Sequence, residues 1–254
     1  MKNIFKNIVF AIVLAVSIQG FAQQDPLYTQ YYNNFSLINP AYSGSHGLFT
    51  ATANIRSQWA GEAGSPETQT LSLHGPAGKN VGLGLSILSD RIGPVEENNV
   101  YGDFSYTLNL GGEKRLAFGL KAGVTFQKIG LRSIIQPTLP DPNDGSFQEN
   151  TNNSKLNIGT GLFYYTDNYY LAFSIPNMLK SVHLDYNGRK YGTETQHYFF
   201  TGGYVFDINP NLKFKPFGMV KSAIGTQASI DLSTNFLYQE KFEAGATYRL
   251  NDSF

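Results

Sequence analysis

From Leu48 onward, apolar and polar residues alternate with a period of two, in about eleven segments separated by turn-rich connections. Between Val100 and Leu110 one face collects Val100, Gly102, Phe104, Tyr106, Leu108 and Leu110, while the other carries Tyr101, Asp103, Ser105, Thr107 and Asn109. The next segment sets Leu116, Phe118, Leu120, Ala122, Val124 and Phe126 against Ala117, Gly119, Lys121, Gly123 and Thr125. The same rule predicts strands over 48–59, 67–74, 80–88, 156–165, 169–175, 195–206, 212–220, 226–238 and 242–250. A soluble β-sandwich also alternates, but its strands average about 5 to 6 residues, whereas many segments here reach the ~9 to 11 that a tilted membrane strand needs. Aromatic residues gather toward strand ends, as at Tyr164, Tyr165, Tyr169, Tyr170, Tyr198, Phe199 and Phe200, which suits interfacial girdles. The pattern therefore predicts an all-β protein: an antiparallel, up-and-down transmembrane β-barrel of the outer-membrane kind.

The connections alternate too. Segments 75–79, 111–113, 166–168, 208–210 and 239–240 are short and rich in Gly, Asn, Asp and Pro; 60–66, 89–99, 128–155 and 176–194 are longer, with 221–225 shorter among them. Outer-membrane barrels have short periplasmic turns and longer outer loops, so strand one should run outward from a periplasmic amino terminus. The eleventh strand would then end on the outer side. Single-chain bacterial barrels have even strand numbers, so the expectation is a chain incomplete at its carboxy-terminal end, the full barrel having about 12 to 14 strands.

Ahead of the strands, Lys2 and Lys6 precede an apolar run over 8–18 that closes on Gly20-Phe21-Ala22. That is the form of a secretory signal peptide over 1–22, and the run is too short for the ~20 residues of a spanning helix. Cleavage there leaves a segment, 23–47, placed at the periplasmic mouth as a lumen plug or as a cap, before a barrel over 48–254.

Composition narrows the chemistry. The chain has 254 residues, no Cys, and 19 basic against 19 acidic side chains, so no disulfide framework is possible and nucleic acid is not expected as a partner. A mean hydropathy of −0.24 is compatible with a barrel, whose lumen-facing residues dilute its lipid-facing ones. His46, His74, His183 and His197 are dispersed, and Asp141-Pro142-Asn143-Asp144-Gly145 has its glycine one place early for a calcium loop and no closing Glu, so no metal is expected. Gly82-Leu83-Gly84 and Gly159-Thr160-Gly161 sit inside strands, where they do not cradle phosphate. Ser72 and His74 share a strand face without a carboxylate to orient them, and no catalytic residue or cofactor is assigned.

Distinctive motifs remain. Gln24-Asp25-Pro26-Leu27-Tyr28-Thr29-Gln30-Tyr31 is followed by Asn39-Pro40-Ala41-Tyr42-Ser43-Gly44, then by Arg56, Trp59, Gly64-Ser65-Pro66 and Asp90-Arg91-Ile92-Gly93-Pro94, with Tyr248-Arg249-Leu250-Asn251-Asp252-Ser253 near the end. Over essentially all of the mature chain these resemble the PorP/SprF family of Bacteroidota outer-membrane proteins of the type IX secretion and gliding machinery. The resemblance implies a non-enzymatic, multi-pass outer-membrane component that supports export or surface attachment of a particular partner, such as a gliding adhesin with a carboxy-terminal sorting domain. It also implies contact with type IX translocon components as well as outer-membrane lipid. It makes Gln24, Asp25, Pro26, Tyr28, Gln30, Tyr31, Asn39, Pro40, Tyr42, Arg56, Trp59 and Asp90 the candidates for partner contact or for the plug. A passive or ligand-gated channel for small hydrophobic solutes is the alternative, with the amino-terminal segment as its hatch.

Overall fold

The computed structural model describes residues 34–59, 61–130, 151–179, 182–186, 189–193, 196–224 and 228–250. A short helix, α1 (Phe35–Ile38), and a 3-10 turn (Pro40–Tyr42) lead into the strands. These are β1 (Thr50–Ser57), β2 (Glu67–Pro76), β3 (Val81–Ile92), β4 (Val95–Gly111), β5 (Lys114–Ile129), β6 (Thr151–Tyr165) and β7 (Tyr169–Ile175). A separate hairpin, β8 (Val182–Tyr186) and β9 (Arg189–Thr193), precedes β10 (His197–Tyr204), β11 (Phe206–Asn209), β12 (Leu212–Ala223), β13 (Ser229–Tyr238) and β14 (Phe242–Leu250). The main sheet has twelve strands, all pairing antiparallel. Eleven form one path, β1-β2-β3-β4-β5-β6-β7-β10-β12-β13-β14, and β11 pairs with β12 as a short continuation of β10. No helix among the described residues is long and apolar enough to cross a membrane.

The eleven strands on the path correspond to the eleven alternating segments, and the faces are inverted relative to a soluble protein. Asp103, Ser105 and Lys121 are buried, while Phe104, Tyr106, Phe118, Leu120 and Phe126 on the opposite face are exposed. Leu120 is 59% exposed and Lys121 beside it 2%. A continuous face of this kind is stable against hydrocarbon, not water. The sheet curls: one cavity is lined from Thr50 and Thr52 of β1 round to Lys215 and Phe217 of β12. In a flat sheet those strands would lie roughly 38 Å apart, at ~4.8 Å per step. Arg56 of β1 and Arg249 of β14 are within electrostatic range of each other, although β1 and β14 share no pairing among the described residues.

Two expectations are corrected. Segment 89–99 is not a long loop: β3 and β4 pair as far as Ile92 with Val95, and Gly93, at φ +56°, turns the chain. Strand β4 has 17 residues, well beyond the ~9 to 11 of a crossing, so its Glu96-Glu97-Asn98-Asn99 stretch lies past the apolar band and never needed apolar alternation. The aromatic clusters also divide by face. Tyr164, Tyr169, Tyr204, Phe206, Phe214 and Phe236 form a chain of ring contacts across β6 to β13 near the short turns, with centroids 4.3 to 6.1 Å apart. This chain has the position of an interfacial girdle. Tyr165, Tyr170 and Phe199 point inward instead, packing against or within the lumen cluster.

Candidate functional site

The curled sheet encloses the segment around α1. Phe35, Ile38 and Ala41 share a buried cluster with Ala117, Phe163, Ala172, Phe199 and Met219, so a small apolar core sits inside an otherwise polar wall. Phe35 and Tyr42 lie 5.0 Å apart, and Phe163 is 5.7 Å from Phe35 and 5.4 Å from Tyr42. Asn39 is 1% exposed. Its side-chain Oδ1 accepts from Ala41 N at 3.0 Å, which starts the 3-10 turn, and its Nδ2 donates to the Leu162 carbonyl at 3.0 Å. Further round, Ser72 Oγ donates to Asn34 Oδ1 at 2.7 Å and Ser105 Oγ to the Ser43 carbonyl at 2.5 Å.

Glycines make this approach possible. Gly119 and Gly161 face each other across β5 and β6. A Cβ on Gly119 would lie 2.1 Å from Ala41 N, and one on Gly161 would lie 2.0 Å from Asn39 Oδ1. Gly82 has the same relation to the Ser43 carbonyl. Each is thus a place where the wall must lack a side chain for the inner segment to seat.

Beside the glycines stands Lys121, fully enclosed. Its ammonium donates to the carbonyls of Leu37 at 2.6 Å and Ser36 at 3.3 Å, serving α1 where the helix leaves its carbonyls without internal partners. It lies 3.7 Å from Asp103 and 5.1 Å from the Tyr101 ring centroid. Both members of the ion pair are about 1% exposed. Removing one member of such a pair strands the other charge, a loss of about 3 to 5 kcal/mol.

Two cavities flank α1. On the side of the short turns is a vestibule of about 520 Å³, lined by Tyr42, His46, His74, Arg115, Tyr165, Tyr170 and Lys215 among others. On the other side, against Leu37, Ile38, Lys121 and Phe199, the free volume is about 40 Å³. His46 opens onto the vestibule but is hemmed in by protein elsewhere; this enclosure, with Lys215 nearby, lowers its pKa below the ordinary imidazole value. Tyr42 Oη bonds to His46 Nε2 at 2.8 Å.

The motif residues separate into groups. Asn39, Pro40 and Tyr42 meet in the lumen. Arg56 and Asp90 lie on neighbouring inner-face positions either side of Thr68, which donates to Asp90 Oδ1 at 2.5 Å. Trp59 stands apart, 73% exposed and at φ +52°, in the connection after β1. Gln24, Asp25, Pro26, Tyr28, Gln30 and Tyr31 lie outside the described residues, as do the signal segment and the 141–145 loop. Among the described residues no three His, Asp or Glu side chains gather as metal ligands. The motifs did not mark Asp103, Lys121 or the seating role of the glycines. Asp103 and Lys121 were nevertheless readable as a pair, because a turn centred on Gly112 places them opposite each other.

Fold and site together define a membrane-type β-barrel sheet with an amino-terminal segment seated in its lumen. The family model described as type IX secretion system membrane protein PorP/SprF matches residues 20–254, and the chain belongs to that family. It is therefore a membrane component of the type IX secretion system, a family not known for catalysis. No individually curated protein matches the chain.

Proposed function

We propose that this protein supports export or surface attachment of one secreted partner, an adhesin-like protein with a carboxy-terminal sorting domain, without catalysing a reaction. Family membership carries the reading. The seated segment supports it against a solute channel, because α1 and the 3-10 turn fill the lumen where a permeation path would run. In this reading 23–47 is the plug, the short turns face the periplasm, and the long connections, 130–150 and the stretch 176–196 that holds the β8–β9 hairpin, form the partner surface outside. Translocon components meet the barrel from the periplasm or within the membrane. The motif residues then divide: Asn39, Pro40 and Tyr42 hold the plug, Arg56 and Asp90 fix the wall near the outer mouth, and Trp59 is available to the partner.

The test is deletion of the gene followed by surface proteomics, with pull-down of the tagged protein from native membranes. Loss of one sorting-domain protein from the surface, and its recovery with the tagged chain, is the expected result. Retention of every such protein at the surface, together with a steady single-channel conductance of the purified protein, contradicts it.

A further inference from the structure

The vestibule beside the plug has the chemistry of a ligand site. Its volume of about 520 Å³ falls in the ~300 to 1,000 Å³ range of small-molecule sites. Phe35 and Tyr42 line it, and α1 lies between it and the small space against Leu37 and Ile38. Its wall is aromatic: Phe163 stacks on Tyr165 at 4.9 Å, and Tyr170 lies 5.6 Å from Phe163. Its charge is one-sided. Asp167 is the acidic side chain in the lining, set against Arg115 and Lys215.

These cations are not equivalent. Lys215 is held by Glu243 at 3.0 Å, a partner on the adjoining wall. Arg115 has a single 3.7 Å contact with Asp167, which is 58% exposed, so its fork remains open to a better acceptor. The Arg115 guanidinium also lies over the Tyr165 ring at 5.7 Å, putting a cation and an aromatic surface side by side. At the same corner Ser45 Oγ is buried and has no hydrogen-bond partner among the described residues. Ser45, His46 and Arg115 line both the vestibule and an adjoining cavity of about 390 Å³.

We propose that this vestibule binds an aromatic carboxylate, its ring against Tyr165, Tyr170 and Phe217 and its carboxylate at Arg115, Ser45 and His46. The carboxylate accepts both arms of the Arg115 fork and the Ser45 hydroxyl. The ring displaces water from the aromatic wall. Either a free aromatic acid or the last residue of a polypeptide offers this chemistry. The proposal does not rest on the export reading.

Fluorine NMR of 3-(4-fluorophenyl)propionate with the detergent-solubilised protein tests it, beside the corresponding amide and short peptides ending in Phe as the free acid or as the amide. Saturable binding of the acid, at least tenfold weaker for the amide and at least tenfold weaker in Arg115→Gln, is expected. Ser45→Ala, which removes one hydroxyl from a half-buried position, should weaken the acid about threefold and serves if Arg115→Gln does not fold. Competition by the peptide acid identifies a chain terminus as a source, whereas binding of the free acid alone identifies a small solute. Equal binding of acid and amide, no saturable binding, or affinity untouched by both variants overturns the proposal.

Discussion

The inner wall uses its polar groups in two ways. On β2 to β6 several of them reach inward to segment 34–43, namely Ser72 to Asn34, Ser105 to Ser43, Lys121 to Ser36 and Leu37, and the Leu162 carbonyl to Asn39, while others, such as Thr68 with Asp90 and Tyr101 with Asn99, bond along the wall. On β12 to β14 they bond to one another. Arg249 meets Asp231 through two bonds of 2.6 and 2.9 Å, Ser233 meets Thr247 at 2.7 Å, and Lys215 and Asn235 converge on Glu243. A polar wall must satisfy its groups somewhere: the β2–β6 side bonds to the inner segment, whereas β12 to β14 meet that segment through the apolar Met219 and join the polar groups named here to one another.

The comparison breaks most sharply at the two buried ion pairs. Lys121→Met leaves Asp103 without its counter-charge and α1 without its donor, and should lower stability by about 3 to 5 kcal/mol in urea titrations followed by β-sheet signal in detergent. Adding Asp103→Asn should recover much of that loss. Arg249→Met strands Asp231 and should weaken the sheet comparably, yet leave segment 34–43 as protected from protease as in the parent. If Arg249→Met releases segment 34–43 as readily as Lys121→Met does, the two regions are not independent.

Next in size is the glycine floor. Gly119→Ala places a methyl group against the backbone of Ala41, and about 1 to 3 kcal/mol of destabilisation is expected, with increased cleavage within 34–43. Gly218→Ala, on the self-bonded side, meets neighbours no closer than 3.5 Å and should change protease sensitivity of that segment little. Asn39→Ala removes the bonds to Ala41 N and the Leu162 carbonyl, a loss of about 1 to 2 kcal/mol that double-mutant analysis with Gly161→Ala should show to be coupled.

The smallest effect is electrostatic. Because the folded state lowers the His46 pKa, the unfolded chain takes up a proton first as pH falls. This contribution to stability is intact above about pH 6.5 and is lost below it, toward the lowered value of the folded state. His46→Gln should flatten that part of the urea-midpoint profile, and an identical profile in the variant would remove His46 from the account.

The sequence carried the strand faces because the lipid side admits few polar residues, so Phe104, Phe118 and Leu120 mark their strands wherever they cross the apolar band. It carried the short turns for the same local reason, through residues such as Gly111 and Gly112, both at positive φ. The β3–β4 tip was hidden because Glu96 to Asn99 lie beyond that band, where strands continue without a hydrophobic signature. The inner segment was the least legible part. Phe35 to Ile38 is four residues long, too short to show a helical period, and its core is supplied by side chains more than 75 residues away, such as Ala117 and Phe163. Lys121 looked like one charge on a small-residue face until the register set it against Asp103.

The chain has no native cysteine, so a paired-cysteine experiment tests the seating of the inner segment directly. Ser43→Cys and Ser105→Cys replace the residues joined by the 2.5 Å bond between Ser105 Oγ and the Ser43 carbonyl. With the variant in intact outer membranes, the account predicts a rapid, reductant-reversible crosslink under mild oxidation, and slow labelling of either single variant by a membrane-impermeant maleimide. Full labelling of the Ser43→Cys single variant, with no crosslink in the pair, would contradict an inner segment fixed to the β2–β6 wall.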